Sequence, residues 1–383
     1  MKVGIYLTNQ QVLSRDMVSA LQEQYAMVHL ARDCGWDSVF IGHHYLNEGD
    51  NQQLQAVPFL ARLQAEAGEM TLGFGVLLLP LHNPVYLAET IASLDVICRG
   101  NFVFGVGLGY RDMEFDAFRV PKGQRLKRFM ECLTLLKRLW TEDSVTHESE
   151  VCKLDRVHLN LRPVQKPYPP LWLAANGDAA VQRAARVADT WFINPQASTE
   201  TVTRQLALFH AERKRAGLPP PGELPCFKEI FCAPTRAQAL EQAGPYLAAK
   251  YQAYAQWGLG QANPGVQLGD KFEALAKERF ILGSPEECYR QLEPYWKLGV
   301  NHLVLRTQWT GLPISAALAS MRLISQELLP ALHAVKPGGE ATPGTQAKPG
   351  VKIKTVAKAK ASAKAKPSVK AKPGAKAKPR SKA

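Results

Sequence analysis

Short β-branched or apolar runs alternate with longer stretches of helical period along most of this chain. A sequence built from repeated βα units has few ways to fold, because the strands must lie parallel in one sheet with the helices packed against it. Eight runs read as strands: Val3–Leu7, Ser38–Gly42, Leu72–Leu79, Phe102–Gly107, Leu171–Ala175, Thr190–Asn194, Phe227–Ala233 and His302–Arg306. Helical stretches lie between them, at Val18–Cys34, Pro58–Ala67, Pro84–Ile97, Arg125–Trp140, Ala179–Ala188, Thr199–Ala216, Arg236–Gln256 and Pro285–Leu298, and Ile314–Ala334 closes the series. A closed (β/α)8 TIM barrel over residues 1–334 competes with an open doubly wound sheet, and eight evenly alternating strands favour the barrel. Two insertions exceed simple connections: Thr141–Pro170, which alternates like a hairpin, and Trp257–Phe280.

Charge divides the chain sharply. Residues 335–383 hold 14 of the 47 Lys and Arg but only one of the 34 acids, Glu340, so this tail carries the whole net charge of +13 and the remainder is neutral. The tail consists mainly of Lys, Ala, Pro, Gly, Ser and Thr without an aromatic residue, which predicts disorder, and any nonspecific polyanion binding belongs to it rather than to the barrel. The opening run Val3–Leu7 reads as a strand, not a secretory signal, and the longest apolar stretch, Leu72–Leu81, is about half of the roughly 20 residues a membrane span needs. Seven scattered cysteines without a Cys-x2-Cys pair read as reduced thiols, so a cytoplasmic protein without structural zinc is expected.

In a parallel barrel, function sits where the strands end at their C-terminal edge. The second strand ends in Gly42-His43-His44-Tyr45. Two adjacent histidines are poorly placed to chelate one metal, whereas either one suits a polar contact or proton transfer. The fourth strand runs into Gly105-Val106-Gly107-Leu108-Gly109, whose alternate glycines would let a flat ring or a phosphate approach the backbone, or else serve tight packing inside the barrel. After the fifth strand, Asn176-Gly177-Asp178 opens a helix whose free N–H groups suit a phosphate, with Asp178 as an alternative helix cap. No nucleophile elbow, phosphate-binding P-loop or zinc motif is present, so these features together suggest a phosphorylated aromatic cofactor.

Several motifs then occur in an order that resembles the bacterial-luciferase-like flavin-dependent oxidoreductases over nearly all of residues 1–333. They are Leu79-Pro80-Leu81-His82-Asn83-Pro84, Leu94-Asp95, Phe104 to Arg111 with Glu114-Phe115, Pro170-Leu171-Trp172, Ala188-Asp189-Thr190-Trp191 and Leu282-Gly283-Ser284-Pro285. The resemblance implies FMN or an 8-hydroxy-5-deazaflavin bound at the barrel mouth. It also implies that His43 is the active-site histidine, that Gly75 and Val76 flank a non-prolyl cis peptide under the flavin ring, and that the protein is a homodimer. Gly107 stands where luciferase itself has a reactive cysteine, which argues against light emission, and Arg119 stands where a glycine is common.

The expected activity is that of a monooxygenase that takes reduced FMN from a separate flavin reductase and uses molecular oxygen to oxygenate a small-molecule substrate. Gly105, Gly107, Gly109, Asn176 and Gly177 would hold the cofactor and His43 would handle a proton. Two alternatives stay open: a deazaflavin-dependent hydride transfer on the same fold, and a non-catalytic barrel with a polyanion-binding tail.

Overall fold

The expected βα units close on themselves. The computed structural model describes residues 1–47, 49, 51–257, 272, 276, 279–336 and 338. Eight strands, Lys2–Leu7, Ser38–Ile41, Thr71–Phe74, Phe102–Gly107, Leu171–Ala174, Thr190–Phe192, Pro225–Cys232 and His302–Arg306, are here called first to eighth. Each pairs in parallel with the next from first to sixth, the seventh pairs with the eighth, and the eighth returns to the first with Lys2 opposite His302. The remaining seam, sixth to seventh, is a single parallel bridge between Ile193 and Cys226. It is made by Ile193 N–H donating to Pro225 O at 3.0 Å and Phe227 N–H donating to Ile193 O at 2.9 Å. The ring is a (β/α)8 barrel.

Strand alternation sorts the side chains. Tyr6, Phe40, Val103, Trp172, Phe192, Phe227 and Val304 fill the interior, with Phe40 stacked on Trp172 at 5.0 Å between ring centres. Residues of the opposite parity, such as Val3, Ile5, Val39 and Ile41, are buried under the surrounding helices. A fully buried Phe side chain contributes on the order of 1.5–3 kcal/mol, so this aromatic filling is a large part of what holds the ring shut. The lower, N-terminal end is plugged by a polar chain in which Ser38 Oγ lies 2.8 Å from His302 Nε2, and His302 Nδ1 lies 3.3 Å from a Glu223 carboxylate that also pairs with Lys2. Ser38 has no exposed surface, so this trio is internal packing and not a nucleophile site.

Helices start where the sequence supplies caps. Asn83 accepts from Val85 and Tyr86 N–H ahead of Pro84–Ile97, and Ser284 with Glu287 forms a reciprocal capping box on Pro285–Lys297. The last expected helix is Ile314–Leu323, a π turn over Ile324–Leu328, then Leu329–Ala334. Pro330 has no N–H to donate, and widening the preceding turn accommodates that loss. The third strand is shorter than Leu72–Leu79: it stops at Phe74, and after a cis Gly75–Val76 peptide the chain resumes at Leu77–Leu78 beside the fourth strand.

The expected hairpin within Thr141–Pro170 is present as Val145–Glu148 antiparallel to Lys153–Val157. Among the described residues, the antiparallel pair Gln10–Val12 with Asn51–Gln53, the helix Asp112–Ala117 and the short strand Ile281–Gly283, parallel to the seventh strand, have no counterpart in the sequence reading. The insertion at Trp257–Phe280 lies mostly outside the described residues, and so does the expected tail 335–383 apart from 335, 336 and 338. Those three remain tied to the barrel unit: Val335 O accepts from the Met1 amino group at 3.1 Å, and Gly338 N–H donates to Trp296 O at 3.1 Å.

Candidate active site

Seven of the eight strands deliver residues from their C-terminal halves or ends to one cavity of about 310 Å³, as the architecture requires, and the seventh adds Phe227 from its first half. His43, Gly75, Val76, Gly109, Asn176 and Gly177 all line it. Gly105 and Gly107 are not among its lining residues. A Cβ on Gly105 would lie 1.7 Å from Phe74 O, and one on Gly107 would lie 2.6 Å from Val76 Cγ2. Both glycines allow neighbouring backbone and side chain to close in, so packing accounts for them. Gly109, at φ +80, turns the chain at the cavity rim.

The two histidines are held differently. His43 packs edge-on against Tyr45 with ring centres 4.4 Å apart, and burial, reinforced by the nearby His44, lowers its pKa to about 4. It is therefore a neutral imidazole at pH 7. His44 also lines the cavity, but its Nδ1 lies 3.2 Å from Oε1 of the fully buried Glu114. Oε1 also accepts Tyr45 N–H at 2.8 Å, while Oε2 has no hydrogen-bond partner. A carboxylate at Nδ1 fixes the tautomer, leaving His44 Nε2 as the ring's acceptor. Arg111 donates to Tyr45 O and Leu46 O, which pins the loop carrying both rings.

Across the cavity the fifth strand runs into the helix Asp178–Val187 through Asn176 and Gly177. Gly177 is the N-cap residue, and a Cβ there would meet open space. Asp178 does not cap the helix: Arg204 binds it through both guanidinium nitrogens, at 2.5 and 2.9 Å, which neutralises its charge beside the helix end. Arg125 and Arg183 also line the cavity, and neither has a hydrogen bond or ion pair among the described residues. Two guanidinium groups without a partner among the described residues thus share one cavity with a helix N-terminus, and each of these suits an anion.

A family profile described as luciferase-like monooxygenase matches residues 1–302. The chain belongs to the luciferase-like monooxygenase family. The monooxygenase RslO1 from Streptomyces bottropensis superposes with a TM-score of 0.77 at 25% identity, covering 86% of this chain and 99% of that one. An F420-dependent glucose-6-phosphate dehydrogenase from Amycolatopsis mediterranei is 25% identical over 346 residues, 88% of this chain and 99% of its own length. A Sinorhizobium fredii protein, y4vJ, is 28% identical over 189 residues, and that match spans about half of each chain, 49% and 53%.

In this member of the luciferase-like monooxygenase family the cavity floor is charged, which the sequence reading missed. Lys250 and Arg306 line it and both pair with the buried Glu229 behind them, with Arg306 lying 4.2 Å over the Tyr6 ring. The signal was present, since a charge inside a strand buried on both faces, as in Lys228-Glu229-Ile230, must have a partner. Among the described residues no cluster of His, Cys, Asp and Glu could hold a metal, and no helix is long and apolar enough to cross a membrane.

Proposed function

We propose that the chain is a flavin-dependent monooxygenase that takes reduced FMN from a separate reductase and uses molecular oxygen, one oxygen atom entering a small organic substrate and the other leaving as water. The observation that carries this reading is the pairing of two anion-seeking guanidinium groups, Arg125 and Arg183, with the Gly177 helix end in one cavity. That set fits a single phosphate, and the aliphatic wall of Val76, Leu108 and Leu173 fits the flat ring of FMN. Bound reduced flavin supplies the electrons that activate oxygen.

The chain's own residues do the rest. Val76, Leu78, Leu108, Leu173 and Phe192 keep water from the reacting centre. His43, neutral at working pH, accepts a proton or a hydrogen bond at its unprotonated ring nitrogen. His44, oriented by Glu114, presents Nε2 as a second acceptor.

The second reading, deazaflavin-dependent hydride transfer without oxygen, is favoured by the F420-dependent dehydrogenase among the relatives. Quenching of tryptophan fluorescence by reduced FMN and by reduced deazaflavin, followed by oxygen-uptake measurements, separates the two. Tight FMN binding with substrate-linked oxygen consumption supports the monooxygenase. Deazaflavin binding without oxygen uptake overturns it.

A further inference from the structure

The floor of the cavity contains one more cation than anion. Glu229 and Arg306 are register partners on the seventh and eighth strands, and Lys250 reaches in from the helix Arg236–Gln256. The Glu229 carboxylate has its partners already: Lys250 and Tyr251 OH at Oε1, the latter at 3.1 Å, and Trp309 Nε1 at Oε2, at 2.7 Å. Arg306 is left at 3.6 Å from Oε1, beyond hydrogen-bond reach, and its buried Nε has no partner. Arg306 is only 6% exposed, yet both it and Lys250 line the cavity, whereas Glu229 does not. The rings of Tyr6 and Phe227 stack on each other and face the guanidinium at 4.2 and 4.8 Å, which partly offsets its desolvation. They carry no negative charge. A surplus buried cation facing a cavity is stabilised by an anion that arrives with a ligand.

We infer that this floor is the substrate subsite, and that the substrate of the proposed reaction is a small organic monoanion whose carboxylate binds Arg306 and Lys250 while its apolar, preferably aromatic, body lies along Tyr254 and Phe227 toward Val76. The inference rests on the flavin-enzyme reading for the word substrate. The net charge of one sets the valence: the fixed Glu229 carboxylate disfavours a phosphate dianion here, and the phosphate site lies instead at Arg125 and Arg183. Burial and the neighbouring Arg306 lower the Lys250 pKa to about 7, so the surplus of one is complete only below that pH in the empty cavity, and a bound carboxylate restores it by favouring the ammonium. The other groups facing it are Glu229, Tyr251 and Tyr254.

The test uses the full chain and the pair 2-naphthoate and 2-naphthamide, which differ in charge and hardly in shape, titrated calorimetrically. Naphthoate should bind at least tenfold more tightly than the amide. Lys250→Met, which brings the floor to neutrality, should abolish that preference, and Glu229→Gln, which raises the surplus to two, should increase it. Equal affinity for the two ligands in the wild type, or binding of neither, overturns the inference, and that comparison stands even if a variant fails to fold. Titration of FMN on the same protein separates the two claims. FMN binding without carboxylate preference removes the subsite and leaves the enzyme reading, while carboxylate preference without FMN binding does the reverse.

Discussion

Glu114 Oε1 accepts the backbone N–H of Tyr45 at 2.8 Å and meets the His44 ring nitrogen at 3.2 Å, so one buried carboxylate fixes both the loop and the imidazole that follow the second strand. His43, one residue earlier, has no such tie. His43→Ala should therefore fold normally and lower turnover roughly a hundredfold if its ring moves a proton in the slow step. His44→Ala should do less to turnover but should cost roughly 1–3 kcal/mol of stability, because it strips a donor from a buried carboxylate. Steady-state kinetics with saturating reduced flavin and urea titrations check the pair, and wild-type activity in His43→Ala would remove its role.

The same burial predicts a pH profile. With its pKa lowered to about 4, His43 stays neutral down to about that pH, so an acid limb caused by its protonation should lie near pH 4 and not near 6.5. A limb near 6.5 that disappears in His43→Gln would contradict this.

Cofactor phosphate should be read at one end of the cavity only. Gly177→Asp places a carboxylate at the helix N-terminus and Arg183→Gln removes a cation. Each should weaken FMN by about tenfold or more and leave riboflavin, which lacks the phosphate, unchanged. Equal losses for both ligands would place the phosphate elsewhere.

The two glycine sites should respond in opposite ways. Gly105→Ala drives a Cβ to 1.7 Å from Phe74 O, a backbone atom that cannot step aside, and should cost about 3 kcal/mol or more. Gly177→Ala meets open space and should be nearly neutral. Comparative urea denaturation decides.

Acid should loosen the lower end of the barrel through Glu223. Burial alone would raise its pKa, but His302 and Lys2 outweigh that and hold it down at about 2. The folded-state pKa lies below the unfolded value near 4.5, so the stabilisation is complete above that pH and is lost as pH falls from about 4.5 toward 2. Glu223→Gln should flatten the dependence of melting temperature on pH within that window and lower it at neutral pH. An unchanged acid slope would refute the assignment.

The strands and helices were legible because period and caps act locally. All eight strands and their order followed from alternation, and Pro84 and Ser284 marked helix starts. The alternate glycines of the fourth strand were ambiguous because a missing side chain has the same signature whether a ligand or a neighbouring backbone fills the space, and only the fold brings the Phe74 carbonyl against Gly105. Arg183 and Lys250 were illegible for a related reason. They project from helices otherwise patterned for solvent and packing, and only the folded chain brings them to the cavity. Arg119 shows the opposite case, for its φ of +52 explains structurally why a glycine is common there.

The pairing of Lys2 with His302 has a consequence for how the chain comes into being. The first strand emerges earliest during synthesis and must wait for residues some 300 positions later before its second edge is covered. Until then a growing polypeptide carries raw strand edges at both ends of an unfinished sheet, and such edges invite pairing with other chains. The Met1 amino group, fastened to the carbonyls of Leu332, His333 and Val335, is among the last contacts to form. A product released before the eighth strand would have most of the sequence of the enzyme and none of its closure, and should be cleared or aggregate rather than persist as a partial barrel.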